Sequence, residues 1–461
     1  METVLQKMKT WAGDFLDVTR RFFNSYAFYV LETLIACLFV GMGKEVEGVL
    51  VFAAIISLLL IVCDDILPTT LPFLLLCTIS TNCYDSFDTF IEFAIYAPIV
   101  IAALVAHFIV YRKKFRIGES VYGICAVSIA VLLGGIGRYS LVQYASGIYY
   151  VLGLGAGMIV AYILMKKEFS PRRDYDLREK FSAIMMLMGI VCVVIIGVGY
   201  LRKLTGNADG TQSGLGFSRN NICTLLMFAM PFPLYLTKKW DVWALFSLLF
   251  FGGICVSTSR GGLLFGSVEF FVCCIYWVCI ARKRWYRIFC VVLALGSLAM
   301  CCGSVIMEIL DTQFFTDDDI VGEVRFVMIL ESIARLKKSP LTGSGILDNS
   351  ISYGAYRKEG TMAWYHMMIP QVVGSMGLIG VVAYGYQVLQ RGKLIFTKMS
   401  SWSLVLGISY LGILMMSQVN PGEFCPLPFG LLTVLLFILQ ERRLEQENLP
   451  LLYECKLCGV Q

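Results

Sequence analysis

The stretch Phe181–Leu201, FSAIMMLMGIVCVVIIGVGYL, contains no charged residue. A helix needs about 20 mainly apolar residues to cross the ~30 Å hydrocarbon core of a bilayer, so this stretch is long enough to span a membrane. Ser146–Met165 is a second uncharged run. A large soluble protein with buried helices does not account for such runs, which therefore predict membrane-spanning helices.

The composition of the whole chain agrees with this interpretation. Of 461 residues, 58% are hydrophobic and 15% are charged, whereas a soluble domain carries about 25% charged residues. The sequence predicts an all-α integral membrane protein, a polytopic bundle of about 12–14 transmembrane helices, with residues 1–461 forming a single membrane domain. The predicted spans are 24–42, 48–63, 66–81, 90–111, 117–135, 146–165, 181–201, 221–236, 241–257, 261–280, 286–306, 366–390, 402–418 and 424–440.

Basic residues recur in every second connection between these spans. Lys and Arg favour cytoplasmic loops, so this phase predicts that both termini are cytoplasmic and that 441–461 is a cytoplasmic tail. The net charge of +5 carries little information beside this pattern, and no nucleic-acid-binding module is recognisable. The basic residues in phase are Arg112, Lys113, Lys114, Arg116, Lys166, Lys167, Arg172, Arg173, Lys238, Lys239, Arg282, Lys283, Arg284, Arg287, Arg391, Lys393, Arg442 and Arg443.

The remaining loops are then predicted to be external, and one of them, 308–365, is large. Long loops without an obvious connecting role commonly carry function. Within it, Val321–Lys338 places apolar residues on one face at helical spacing, which predicts a helix lying in the membrane interface and ending before Pro340. A further external loop is Asn420–Cys425.

Four arginines fall in loops that the charge pattern places outside, where insertion disfavours them: Arg138, Arg202, Arg219 and Arg260. The planar guanidinium group suits phosphate oxygens, so each is a candidate anion ligand. A side chain reaching lipid headgroups, or an ion pair with a loop acid, is the alternative for each.

Arg260 has the strongest local context, because it stands in Ser257–Gly262 (STSRGG) between two apolar spans. The two glycines allow close backbone approach, and the three hydroxyl groups are further candidate donors. A helix begins there, and the N–H groups of a helix N-terminus favour an anion. A simple tight turn needs the glycines but not the arginine.

The chain has two histidines and seventeen cysteines. His107 lies near a predicted cytoplasmic end and is interpreted as structural. His366 begins the span after the long loop, where the helix dipole favours a neutral ring that can accept a proton. Most cysteines lie in apolar runs as small hydrophobic residues, and the single CxxC pair, Cys455 and Cys458, is weak support for a metal site.

Four stretches, in this order, resemble the O-antigen ligase and polymerase-like membrane glycosyltransferases. Their order and shared external placement carry the resemblance more than any one motif does. They cover roughly residues 210–390. The stretches are Gly214–Asn221 (GLGFSRNN), Ser257–Gly262, Arg325 with Ser339–Gly345 (SPLTGSG), and His366 with Gly374–Gly380 (GSMGLIG).

The resemblance implies a GT-C-like membrane enzyme in the bacterial cytoplasmic (inner) membrane with an extracytoplasmic active site. The donor would be a glycan on undecaprenyl pyrophosphate, and the acceptor a hydroxyl group of a glycan or glycolipid in surface polysaccharide assembly. No metal, cofactor or nucleic acid would take part. His366 would be the catalytic base, and Arg260, Arg325 and Arg219 would bind pyrophosphate.

Two departures from the family pattern leave ligase and polymerase both open. The family's tryptophan after the loop arginine is replaced by Phe326, and Met367 and Met368 follow the histidine where the family often has asparagine. A transporter or flippase of a lipid-linked glycan is the alternative function, and a non-catalytic scaffold is a third. A transporter would show repeats and polar residues deep in its spans.

Overall fold

The structure, a computed structural model, describes residues 14–83, 97–111, 117–136, 151–168, 177–205, 219–280, 284–313, 320–346, 367–420 and 422–447. These residues form α-helices, joined or extended by short 3₁₀ and π turns. In chain order the α-helices are α1 (Asp14–Phe23), α2 (Tyr26–Met42), α3 (Glu45–Val62), α4 (Leu67–Cys83), α5 (Ala97–Val110), α6 (Ser120–Ile136), α7 (Met158–Glu168), α8 (Leu177–Leu204), α9 (Arg219–Ala229), α10 (Phe232–Leu236), α11 (Ala244–Val256), α12 (Arg260–Cys279), α13 (Arg284–Gln313), α14 (Ile320–Lys338), α15 (Met368–Phe396), α16 (Ser401–Met416) and α17 (Leu431–Glu447).

The predicted all-α polytopic membrane fold is confirmed. Each predicted span overlaps a described helix. Among the described helices, four are long and apolar enough to cross a membrane alone, namely α3, α8, α12 and α15, and α1 with α2 would make a fifth span bent by 57°. Several other apolar helices are shorter, so the predicted number of 12–14 spans stays a prediction.

The chain packs into two compact units built from separated segments. Unit 1 comprises residues 1–114, 168–317 and 411–416, and unit 2 comprises 115–167, 318–410 and 417–461. Both units therefore contain helices from distant parts of the sequence. The predicted single domain, the loop boundaries 308–365 and the cytoplasmic position of 441–461 stay predictions.

Helix α8 is the core of unit 1. It is apolar on all sides, as expected for a helix surrounded by others, and contacts α2, α4, α9, α10 and α11. Gly189 gives the ring of Phe250 room, since a Cβ atom there would lie 2.5 Å from it. The buried His107 ring lies 2.8 Å from the Leu60 carbonyl oxygen and 3.0 Å from Glu168, which agrees with its structural interpretation.

Unit 2 is built around α15, which packs along α6 and also contacts α14 and α17. At one end of this unit, the fully buried Lys166 ammonium group lies 2.8 Å from Glu441 and 2.7 Å from Glu445. Glu441 also accepts hydrogen bonds from the Tyr162 hydroxyl group and the Ser120 N–H. These contacts join the connection that contains Lys166 to the segment that contains Glu441, and the charge pattern assigns both to the same side of the membrane.

Candidate anion-binding and catalytic site

In unit 1 the N-termini of α9 and α12 meet. Ser259 is the N-cap of α12, and its Oγ accepts a hydrogen bond from the Gly262 N–H at 3.1 Å. The same hydroxyl group donates to Asn220 Oδ1 at 2.7 Å. Because Asn220 is the second residue of α9, this bond holds the first turns of the two helices together. Two positive helix ends therefore face one region.

Each of these helices begins with an arginine, Arg219 in α9 and Arg260 in α12. Partial burial and the positive charge of Arg260 both lower the pKa of Arg219. The two guanidinium groups are thus near enough to repel each other. An anion bound between them would relieve this repulsion and take hydrogen bonds from both.

The hydroxyl groups of the STSRGG stretch are used differently from the sequence expectation. Ser257 Oγ donates to the Ile254 carbonyl oxygen at 2.7 Å and contacts Cys223 Sγ at 3.0 Å, so Ser257 and Ser259 both stabilise the protein itself. Thr258 differs from them. Its φ of 58° is unusual for a β-branched residue, and its buried Oγ1 has no hydrogen-bond partner among the described residues.

Gly262 of the STSRGG stretch allows α12 to pack closely against α9. A Cβ atom at this position would lie 3.0 Å from Cys223 Cβ and Sγ. A larger residue would therefore push α9 away from α12. The predicted close backbone approach is present, and it serves the packing of the two helices that carry Arg219 and Arg260.

In unit 2 the third and fourth motifs form one backbone junction. Helix α15 is interrupted at Gly377, which has φ 59° and ψ −150°. The backbone of the turn 340–345 forms hydrogen bonds with the N–H and carbonyl groups of α15 on either side of this break. The Ser344 and Gly345 N–H groups donate to the carbonyl oxygens of Gly374 and Ser375, each at 2.9 Å. In return, the Leu378 and Ile379 N–H groups donate to Pro340 and Leu341 at 2.9 and 3.1 Å.

Gly377 and Gly343 are required at this junction because the two backbones approach too closely for a side chain. A Cβ atom on Gly377 would lie 2.7 Å from Gly343 N and from Pro340 O, and one on Gly343 would lie 2.5 Å from Ser375 C. The Arg335 guanidinium group donates to Ser344 Oγ at 2.7 Å, which fixes the turn to the preceding helix. The junction therefore anchors α14, which contains Arg325, to the helix that begins just after His366.

The other predicted site residues are described only in part. Arg325 lies within α14, and nothing is described of its side chain. His366 lies outside the described residues, two positions before α15 begins at Met368. Arg138 is outside them as well, as are Cys455 and Cys458. Within the described part of the chain, no group of three or more His, Cys, Asp and Glu side chains is arranged to hold a metal ion.

Arg202 follows the alternative interpretation offered for the external arginines. Its guanidinium group lies 3.4 Å from the Glu45 carboxylate, and its side chain is 39% exposed. It is therefore an arginine with an acidic partner in the protein.

Arg391 makes a contact that the charge pattern does not predict. The charge pattern places Arg391 in a cytoplasmic loop and Glu423 in an external one, but Arg391 lies inside α15 and forms a buried ion pair with Glu423. Its guanidinium group also donates to the Tyr410 hydroxyl group at 3.1 Å. A linear count of spans cannot show that a segment after α16 folds inward to meet α15. A charged residue so close to an apolar run was the available signal.

Part of this chain, including Arg260 and the glycine junction, is similar to a known protein family. The family model Wzy_C, described as O-antigen ligase, matches residues 245–385. This segment carries the O-antigen ligase signature. It confirms the resemblance on which the sequence interpretation rested. The searches of curated proteins and of solved structures found no significant match.

The O-antigen ligase segment includes three of the four motifs. It contains Arg260, Arg325 and His366, together with the glycine junction of unit 2. Arg219 and Asn220 precede it. The Ser259–Asn220 hydrogen bond therefore joins the matched segment to a part of the chain that the family model does not cover.

Proposed function

We propose that this protein is a membrane glycosyltransferase. It transfers a glycan from undecaprenyl pyrophosphate to a hydroxyl group of a glycan or glycolipid, on the external face of the cytoplasmic membrane. Residues 245–385 support a membrane glycan ligase or polymerase role through the O-antigen ligase match. The donor lipid, the acceptor and the face of the membrane belong to the proposal.

One observation carries the proposal, namely the pair of arginines at two adjoining helix N-termini. Arg219 and Arg260 are close enough for the charge of Arg260 to lower the pKa of Arg219. Two like charges held together in a partly buried place favour the binding of an anion between them. A pyrophosphate leaving group is such an anion, and its negative charge increases as the bond to the sugar breaks.

The proposed reaction assigns one task to each predicted residue. His366 takes the proton of the acceptor hydroxyl group, and the acceptor oxygen forms a bond to the anomeric carbon of the donor. The bond between that carbon and the phosphate oxygen breaks, and its electron pair leaves with undecaprenyl pyrophosphate. Arg260, Arg325 and Arg219 stabilise the departing pyrophosphate.

Substitution of Arg260 tests the anion site. Arg260→Lys keeps the charge but removes the planar fork, so we expect transfer to fall by about 100-fold, as for loss of one transition-state donor. Arg202→Lys is the matched control, because Arg202 has Glu45 as its partner, and should retain activity. Equal activity of the two variants would assign Arg260 to the turn alone.

Substitution of His366 tests the base. His366→Ala should abolish transfer while the protein still inserts in the membrane and still binds the lipid donor, because the base acts on the acceptor. Donor binding is measured with labelled lipid-linked oligosaccharide, and transfer by separation of the products. Transfer that persists in His366→Ala would remove the base assignment.

The product identifies the reaction type. Purified protein is incubated with lipid-linked oligosaccharide, alone and with a candidate acceptor. Growth of the chain on the donor alone indicates a polymerase, and transfer that requires the acceptor indicates a ligase. Formation of no glycosidic bond under either condition contradicts the proposed function.

Transport of a lipid-linked glycan is the second candidate, and one observation favours it. Glu32 in α2 and Glu269 in α12 are fully buried, and neither carboxyl group has a hydrogen-bond partner among the described residues. Acidic residues inside apolar spans often mark transport pathways. A vesicle assay in which the lipid-linked glycan crosses the bilayer without any new glycosidic bond would support transport over transfer.

A further inference from the structure

Unit 1 contains a groove between α11 and α13 with α12 as its floor. Its volume is about 300 Å³, at the lower end of the range of roughly 300–1,000 Å³ that is usual for ligand pockets. The floor is buried and the walls are partly exposed, so the groove is open to the surroundings of the helices. Most of the lining is apolar, with Leu245, Leu248, Phe270, Val291 and Ala294 along its length.

One end of the groove has the composition of a membrane interface. Trp240 and Trp285 are 69% and 84% exposed beside it, and Tyr286 lies at its rim. Tryptophan and tyrosine concentrate where hydrocarbon meets lipid headgroups. The apolar length of the groove then lies in the hydrocarbon region, and this end lies at headgroup level.

The same end is basic. Arg287 is paired with Asp241 at 2.7 Å, and Lys239 is paired with Glu179. Lys238 and Arg284 add further positive charge. Basic residues therefore outnumber acidic ones where a headgroup would lie, and such clusters attract anionic lipids.

A polar group on the groove floor has no hydrogen-bond partner among the described residues. Trp277 lines the groove and is 9% exposed. Its indole Nε1–H is buried and has no hydrogen-bond partner among the described residues. Arg287 fixes this residue, donating to the Trp277 carbonyl oxygen at 2.6 Å and lying 5.1 Å from the centre of its ring. A buried donor held in place beside an apolar groove calls for an acceptor from a ligand.

We propose that the groove binds one anionic phospholipid. One acyl chain lies along the apolar floor, an ester carbonyl oxygen accepts the Trp277 Nε1–H, and the phosphate lies among the basic residues at the interface end. This site does not depend on the proposed glycan transfer. A regular phospholipid supplies the three features together, namely a long apolar chain, an acceptor at its upper end and a negative charge beyond it.

The test measures lipids bound to the purified full-length protein. Protein in phosphatidylcholine nanodiscs is titrated with phosphatidylglycerol, and bound lipid is counted by native mass spectrometry. Ala294→Trp fills the groove, and Val292→Trp is the matched control because Val292 is exposed on the same helix and does not line the groove. We expect one retained phosphatidylglycerol in the parent and the control, and its loss in Ala294→Trp.

A second variant tests the polar contact without filling the groove. Trp277→Phe keeps an aromatic side chain but removes the indole N–H donor, so we expect phosphatidylglycerol affinity to fall about fivefold, as for loss of one neutral hydrogen bond. Equal retention by Ala294→Trp and Val292→Trp overturns the proposal. Equal binding of phosphatidylcholine also overturns it, as does preferential binding of a polyprenyl phosphate over phosphatidylglycerol.

Discussion

Replacement of Gly377 by alanine is expected to destabilise unit 2 through the junction between α15 and the turn 340–345. Gly377 has φ 59° and ψ −150°, a region that is almost confined to glycine. Holding alanine there costs roughly 1–3 kcal/mol. The new Cβ atom would also lie 2.7 Å from Gly343 N and Pro340 O. These are backbone atoms, which cannot rotate away as a side chain could.

The turn must therefore move, and two hydrogen bonds are the first to be lost, from Leu378 N–H to Pro340 and from Ile379 N–H to Leu341. Each contributes about 0.5–1.5 kcal/mol. Together with the backbone strain, Gly377→Ala should lower the free energy of unfolding by roughly 2–6 kcal/mol. For a chain of 461 residues the entropy of unfolding is about 1 kcal/mol/K, so this corresponds to a decrease in Tm of roughly 2–6 °C.

Gly385→Ala is the matched control, since it lies in the same helix and a Cβ atom there meets nothing within 4 Å. It should leave the stability within about 1 kcal/mol of the parent, toward stabilisation, because alanine favours a helix interior. The assay is thermal unfolding of the detergent-purified protein followed by circular dichroism. Equal Tm values for the two variants would show that the junction does not bear on stability and would refute the reasoning.

Three further substitutions test other contacts by the same assay. Ser259→Ala removes the α12 cap and the bond to Asn220, so stability should fall by about 1–2 kcal/mol; an unchanged Tm contradicts this. Arg391→Met leaves the buried Glu423 carboxylate without its ion-pair partner and should cost about 3–5 kcal/mol. Adding Glu423→Gln should recover part of that loss, and no recovery would argue against a charge effect. Gly262→Ala should lower Tm by crowding Cys223, whereas a Cβ atom on Gly296 meets open space and should have little effect.

Local sequence patterns were sufficient for the helices. The run Phe181–Leu201 lies within α8, and the periodicity of Val321–Lys338 corresponds to α14, Ile320–Lys338. In both cases the signal is local, because helical hydrogen bonds join residues four positions apart and the apolar spacing records which face is buried. The helix start at Arg260 was also predictable, since Ser259 is a favoured N-cap residue.

The sequence predicted which residues belong to the candidate site, but not which hydrogen-bond partners they have in the fold. The sequence singled out Arg219 and Arg260 from their loops, and the structure adds that Asn220 and Ser259 hold the two helix ends together. It also shows that the Ser257 and Ser259 hydroxyl groups serve the protein itself. Which donor meets which acceptor depends on packing between helices that are distant in the chain.

The sequence by itself determined that the chain is an all-α membrane protein with arginine and glycine motifs in a family order, because apolar length and motif spacing are properties of a linear string. Tertiary structure decided that Gly377 interrupts α15, since the backbone groups freed by the break are paired by a turn 30 to 38 positions away. It also decided that Arg391 meets Glu423. A charge inside an apolar bundle needs a partner, and only the folded arrangement of α15 with the segment after α16 brings that partner within reach.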